Sequence, residues 1–154
     1  FIVSKTDAKG IMTYANQVFL RVSGYTETEM LGKPHNVIRH PDMPRTVFRL
    51  LWDTIRDGRE IFAYVINRCK NGDHYWVLAH VTPTYGPGGD IIGFHSSRRV
   101  PSATALATIQ PIYKQLVAEE EKAGGRAGVE AGLTLLNQLL KSKGMSYDQF
   151  ILSI

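Results

Sequence analysis

The sequence is almost without cysteine: Cys69 stands alone among 154 residues. One thiol forms no intramolecular disulfide, which suits a reducing, cytoplasmic compartment. Cys69 reads as a small apolar strand residue rather than a reactive thiol. Long apolar runs are missing as well. A helix that crosses a bilayer needs roughly 20 consecutive apolar residues, and no stretch approaches that. No signal-peptide pattern opens the chain, and no internal repeat or low-complexity tract interrupts it. The spacings of common catalytic chemistry are also absent. There is no HExxH, no Cys/His cluster at metal-ligand spacing, and no nucleophile with a paired base, so an enzyme is not expected. His35 and His40 lie five apart across a proline-rich turn, which is not a metal-site spacing. Charge is only mildly biased, at a net +4 with the Lys and Arg scattered, so a nucleic-acid partner is not expected. A chain that begins at Phe1 rather than Met is expected to be a piece of a longer protein.

What the chain does have is the stretch PHNVIRHPDMPR, Pro34 to Arg45. It holds two His, two Arg, one Asp and three Pro in twelve residues. Its core, Arg39-His40-Pro41-Asp42, falls at the entry of a helix that should begin near Pro44. Backbone N–H groups point outward at a helix start and favour negative charge. The segment is therefore expected to help hold a phosphate-bearing cofactor. A structural Arg–Asp pair with a capping Asp and no ligand is the alternative.

Around it the pattern predicts a mixed fold. Phe1–Ser4 and Ile11–Tyr14 read as two short strands joined by a turn at Asp7–Gly10. Asn16 caps a helix from Gln17 to Val22, and Thr26-x-x-Glu29 has capping-box spacing. The helix from Pro44 to Asp57 has one apolar face, and Gly58 closes it. Three strands follow, Ile61–Arg68, Asp73–Thr82 and Asp90–Arg99, with Asn71-Gly72 and Gly86–Gly89 as turns. The order predicts an α+β fold with short helices on one face of an antiparallel sheet. Val65, Asn67, Val77, Ala79 and Val81 should share one face, with Trp76 on the other.

Beyond Pro101 the pattern is helical. Ala105, Ile109, Ile112 and Leu116 form one apolar stripe, and Val129, Leu133, Leu136 and Leu140 form another. Both fit a coiled-coil seam. Pro111 should kink the first helix or mark its start. Glu119-Glu120-Glu121-Lys122 with Gly124-Gly125 reads as a solvated break. Gly144 should stop the second helix and Ser146 should cap a third.

An ordered set of residues carries a resemblance. It runs through Asn16-x-x-Phe19, Val22-Ser23-Gly24-Tyr25-Thr26, Gly32, Pro34-His35-Asn36, Arg39 to Pro44, Asn67-Arg68 and Lys70 to Val77. The chain from Phe1 to Val100 resembles a PAS sensor domain, most nearly that of the Aer-type bacterial aerotaxis and chemotaxis transducers. The resemblance implies a five-stranded sheet cupping a pocket that holds FAD as a redox sensor. It carries flavin binding over to Arg39, His40 and Asp42, with Asn16, Phe48, Trp52, Asn67 and His95 as further cofactor-binding candidates. In that frame Arg39 grips a pyrophosphate, His40 donates a hydrogen bond, and Asp42 orients Arg39 or caps the helix.

The region is also similar to LOV photoreceptor domains. Their flavin-contacting Asn falls at Asn67 and their final-strand Gln at His95. Their photoreactive Cys falls near Val37, so covalent photochemistry is not expected. The chain departs from the aerotaxis pattern at Ile61, where a Trp is usual, at Ala63, where a Gly is usual, and at His95. Two other functions stand beside the flavin sensor. One is haem-based gas sensing with His80 or His95 as ligand. The other is a ligand-free dimerisation module. Residues 101–154 are expected to be a helical linker toward a chemotaxis signalling domain, with a homodimer formed through the C-terminal helices.

Overall fold

The computed structural model describes all 154 residues. Strands β1 (Ile2–Asp7) and β2 (Met12–Ala15) form the first hairpin. Its turn needs Gly10, at φ +87°, where a side chain would also run into Trp52. Helix α1 (Gln17–Ser23) is capped by Asn16, and α2 (Glu27–Met30) by a complete Thr26/Glu29 capping box. A single 3-10 turn, His35–Ile38, leads to α3 (Arg45–Arg56). Strands β3 (Ile61–Arg68), β4 (His74–Tyr85) and β5 (Ile91–Arg99) follow. The five strands make one antiparallel sheet in the order β2-β1-β5-β4-β3, so the last strand returns to the middle beside the first. The expected α+β architecture is the observed one.

Strand alternation gives the sheet two faces. Val65, Asn67, Ala79, Val81, Phe94, Ser96 and Arg98 lie on the inner face, toward α3. Tyr64, Ile66 and Trp76 lie on the outer face. Trp76 was expected there, and its ring meets Tyr113 at 5.7 Å between centroids.

Tyr113 belongs to α4 (Ala103–Ala123), which is followed by α5 (Gly125–Lys143) and α6 (Tyr147–Ser153). These helices lie against the sheet and α3. In α4 the residues Ala105, Ile109, Tyr113 and Leu116 are at most 4% exposed and belong to the same core as the sheet. Burying each of the larger ones contributes about 1.5–3 kcal/mol. The Tyr113 hydroxyl donates to the Tyr64 carbonyl, and the Tyr147 hydroxyl to the Phe62 carbonyl at 2.8 Å. The apolar stripes that read as a coiled-coil seam are thus largely occupied within the chain itself. An apolar stripe specifies burial but not the partner that buries it.

Two further expectations are corrected. Pro111 does not mark the start of α4 but lies within it; the helix begins at Ala103, after the cap Ser102, whose Oγ accepts from the Ala105 N–H at 3.1 Å. The exposed break falls at Gly124, as expected, but the acidic run before it is helical and its Glu120 is only 4% exposed. Its carboxylate accepts from the Arg45 and Thr46 backbone N–H groups at 3.0 Å each and from the Thr46 hydroxyl at 2.7 Å. Glycines on α5 allow the close approach around it. A side chain at Gly128 would strike the Glu120 backbone, and one at Gly132 the Thr46 hydroxyl. No helix is long and apolar enough to cross a membrane.

Candidate functional site

A cavity of about 750 Å³ lies between the inner face of the sheet and α3. Phe48, Leu51, Trp52 and Ile55 face it from α3, and Val65, Ala79, Val81 and Phe94 face it from the sheet. The apolar face that makes α3 amphipathic therefore serves as cavity wall as well as core. Trp52 meets Phe94 edge-on at 5.5 Å and carries the Arg56 guanidinium over its ring at 4.8 Å.

Of the eight residues proposed from sequence, four line this cavity: Arg39, Phe48, Trp52 and Asn67. An isolated antiparallel bridge joins the Arg39 and Asn67 backbones and ties the loop before α3 to β3. The Arg39 guanidinium lies over the Phe48 ring at 5.3 Å. Burial, and then the nearby charge of Arg45, weaken its hold on its proton, while Glu120 opposes this.

The other four are elsewhere. His40 and Asp42 line a second cleft, bounded by Trp76 and by Tyr113 of α4. The Asp42 N–H donates to His40 Nδ1 at 3.0 Å, and the Asp42 side chain is 78% exposed. Asp42 does not cap α3. No side chain from the preceding loop does so, and Glu120, from 75 residues away, takes that place. The helix entry expected to receive a phosphate already holds a carboxylate of the same chain. Asn16 does not line the cavity and its side chain is engaged in the fold. Its Oδ1 accepts from the Val3 and Phe19 N–H groups at 3.1 and 3.0 Å, and its Nδ2 donates to the Phe1 carbonyl at 3.0 Å. His95 is on the outer face, paired with Lys5 and Thr82. Burial, and then Lys5 and His80, hold its pKa below the ordinary value. His80 is also away from the cavity, stacked on Phe62 at 4.1 Å and bonded to Glu60 at 3.0 Å.

Sequence reading missed Arg98. It is 2% exposed, sits on β5 and lines the cavity with Ser96 and Phe94. Its Nη2 donates to Ser4 Oγ at 3.0 Å, and its Nη1 lies 3.2 Å from His35 Nε2. Ser4 Oγ is itself 3.0 Å from that His35 nitrogen. Phe19 lies under the guanidinium at 4.4 Å. Burial, then the charge of Arg98, push the His35 pKa down to about 3, and burial lowers that of Arg98 to about 10. His35 is therefore neutral at pH 7, with Nε2 as acceptor and the proton on Nδ1. Counting strand parity from Phe94 instead of from His95 would have found Arg98.

The cavity wall is unevenly polar. Lys9, Arg39, Arg45, Arg49, Arg56 and Arg98 face it, with Asp53 as the one carboxylate. Asp53 pairs with Arg49 at 2.9 Å. Deeper in, Asn67 Nδ2 and Arg98 Nε are buried without hydrogen-bond partners, as is the neighbouring Tyr75 hydroxyl. No hydrogen bond of ordinary geometry joins Tyr75 to Asn67. Burial raises the Tyr75 pKa, against the charge of Arg98 and the Asn67 amide. Buried donors without partners are rare in folded proteins, because each forfeits its bonds to water. Donors left over beside a cavity with cations around it fit a ligand with acceptor groups on a ring and a negative charge on a tail.

Comparison with known proteins places the chain. A family model described as the PAS fold matches residues 12–98. The aerotaxis receptor of Escherichia coli (strain K12) is 44% identical over 115 residues, covering 75% of this chain and 22% of the receptor. The nitrogen fixation regulatory protein of Klebsiella pneumoniae is 28% identical over 97 residues, covering 63% of this chain and 20% of that protein. The chain spans about a fifth of the length of these relatives. Among solved structures, a light-oxygen-voltage domain studied with a flavin analogue superposes with a TM-score of 0.65 at 16% identity, covering 74% of this chain and 87% of that one. The light state of the Aureochrome1 LOV domain gives 0.63 at 22% identity, covering 74% and 91%. The family match includes α3 and β3 to β5, the elements that wall the cavity, and it extends over more than half of the residues. This chain belongs to the PAS-fold family.

Proposed function

We propose that the cavity holds a flavin and that the chain is the redox-sensing part of a bacterial aerotaxis or chemotaxis receptor. The observation that carries this is the division of the cavity wall, apolar in its depth with unpartnered donors at Asn67 and Arg98, and cationic around them. A flat heteroaromatic ring with acceptors on its edge suits the depth, and phosphate suits the arginines. FAD is favoured over FMN because Arg45 to Arg56 extend along about 16 Å of helix axis, more than one phosphate uses. The 44% identity to an aerotaxis receptor supports the same assignment. Haem has less support. Of five histidines, only His35 reaches the cavity, and its Nε2 is engaged by Arg98 and Ser4.

A bound flavin supplies reversible redox chemistry, and the chain supplies the rest. Asn67 would donate to the ring edge, Trp52 and Phe48 would wall the ring, and Arg39 would hold phosphate bidentately. Helix α3 is both a cavity wall and, through the Arg45 and Thr46 N–H groups, the seat of Glu120 on α4. A change in hydrogen bonding that moves this wall alters the seat of α4, provided that α4 has two discrete positions. Residues 101–154 would then lead to a chemotaxis signalling domain on the cytoplasmic side. Dimerisation through these helices would require their buried stripes to leave the sheet.

The test is the absorption spectrum of the purified protein, followed by chromatography of whatever is released on boiling. An oxidised-flavin spectrum with FAD in the supernatant is expected. Protein that carries no flavin as purified, and takes up none on incubation with FAD, refutes the assignment. A Soret band would replace it with haem.

A further inference from the structure

We propose that Arg45 and Arg49 are shared between the cavity and the C-terminal helices, so that Glu120 of α4 and Glu130 of α5 tune how tightly the cavity holds a phosphate-bearing ligand. Both arginines lie on the cavity wall. Arg45 Nε is also 3.8 Å from Glu120 Oε1, and Arg49 Nη1 is 3.7 Å from Glu130 Oε1. These are the only two ion pairs that join α4 and α5 to the rest of the chain. Both carboxylates lie beyond the residues that match the PAS family, 12–98.

The geometry leaves the arginines free to serve a ligand. Separations of 3.7 and 3.8 Å exceed a hydrogen bond, so neither guanidinium is committed to its helix carboxylate. The two side chains are 39% and 45% exposed, which gives them room to turn. Glu120, in contrast, is fixed by its three hydrogen bonds from Arg45 and Thr46. It is a standing negative charge beside the Arg45 guanidinium, and its charge also bears on Arg39, a further cation of the wall. A phosphate that enters the cavity therefore meets cations already partly neutralised. The coupling is reciprocal: whatever factor Glu120 and Glu130 take from phosphate affinity, bound phosphate takes from the seating of α4 and α5.

The proposal rests on the phosphate-bearing ligand of the proposed function and adds a route from occupancy to the C-terminal helices. The full chain, freed of flavin, is titrated with FAD and with riboflavin, which has the same ring and no phosphate. Glu130→Gln removes an exposed carboxylate and leaves the Glu120 seat in place. It should tighten FAD about twofold at low salt without strengthening riboflavin. Adding Glu120→Gln should bring the gain to about fivefold, and about 0.5 M salt should reduce it. An unchanged FAD affinity in Glu130→Gln, or an equal gain for riboflavin, overturns the proposal and leaves the flavin assignment standing.

If the wild type takes up neither flavin, the flavin assignment falls and pyrophosphate becomes the probe. It is titrated into the same proteins while the Arg45 and Arg49 Nε–H resonances are followed. Saturable shifts that Glu130→Gln moves to lower concentration support the sharing. Unmoved resonances, or binding that the variant leaves unchanged, overturn it.

Discussion

Removing the Glu120 carboxylate should release the C-terminal helices from the sheet body. Glu120 accepts three hydrogen bonds, two of them from the first N–H groups of α3, and Arg45 Nε lies 3.8 Å away. Hydrogen bonds to a charged group contribute about 1.5–3 kcal/mol each, so three set an upper bound of about 9 kcal/mol. Water entering the vacated site would offset much of this. Loss of an N-cap costs about 1 kcal/mol, and removal of one partner from a buried charge pair costs about 3–5 kcal/mol. Glu120→Ala should therefore cost about 3 kcal/mol, a midpoint drop of about 6–12 °C for a chain of this size. Glu120→Gln keeps one acceptor oxygen but turns an NH₂ group toward a donor, and should cost about 1–2 kcal/mol. Urea denaturation followed by tryptophan fluorescence gives these values, and amide exchange at Arg45 and Thr46 localises them. If both variants lie within about 0.5 kcal/mol of wild type, as surface substitutions do, and both amides keep their protection, Glu120 does not cap α3.

Other consequences can be tested alongside. His35 has a pKa of about 3 when folded, against an ordinary 6.5, so the unfolded chain binds more protons between those values. Stability should fall as pH drops from about 6.5 toward about 3 and be unaffected by this group at higher pH; His35→Gln should make the acid limb shallower, and an unchanged limb would count against a neutral His35. Gly132→Ala gains about 1 kcal/mol of helix propensity but drives a methyl into the Thr46 hydroxyl, so a net loss of about 1–3 kcal/mol is expected in thermal melts. A stabilised variant would mean that α5 does not seat there. Tyr113→Phe removes the hydroxyl that donates to the Tyr64 carbonyl and should cost about 1 kcal/mol by the same measurement.

How far the sequence could be read depended on the range of the interaction. The Asn16 cap and the Thr26/Glu29 box act within three residues and were legible directly. So was the face shared by Asn67, Ala79 and Val81, since strand parity is local once the strand is recognised. Parity failed on β5, where assigning His95 to the cavity put every residue of the strand on the wrong side. A slip of one residue has that effect, and it hid Arg98. The Arg39-His40-Pro41-Asp42 segment was recognised as a unit, but its alternate residues diverge. Arg39 turns to the cavity beside Asn67, while His40 and Asp42 turn to the cleft against α4.

The strands and helices were legible from local pattern, because periodicity, caps and turn residues act over a few positions, and the ordered motif residues carried the likeness to the family. Only tertiary structure decided what covers the apolar stripes, which side chain holds the N-terminus of α3, and which cation lies buried at the cavity. Each depends on residues far apart in the chain: Glu120 meets Thr46 across 74 positions, and Arg98 meets Ser4 across 94. A stripe, a carboxylate and an arginine each state a need for burial, a donor or an anion. The packed chain determines which partner meets that need, and for Arg98 it leaves the Nε–H without one.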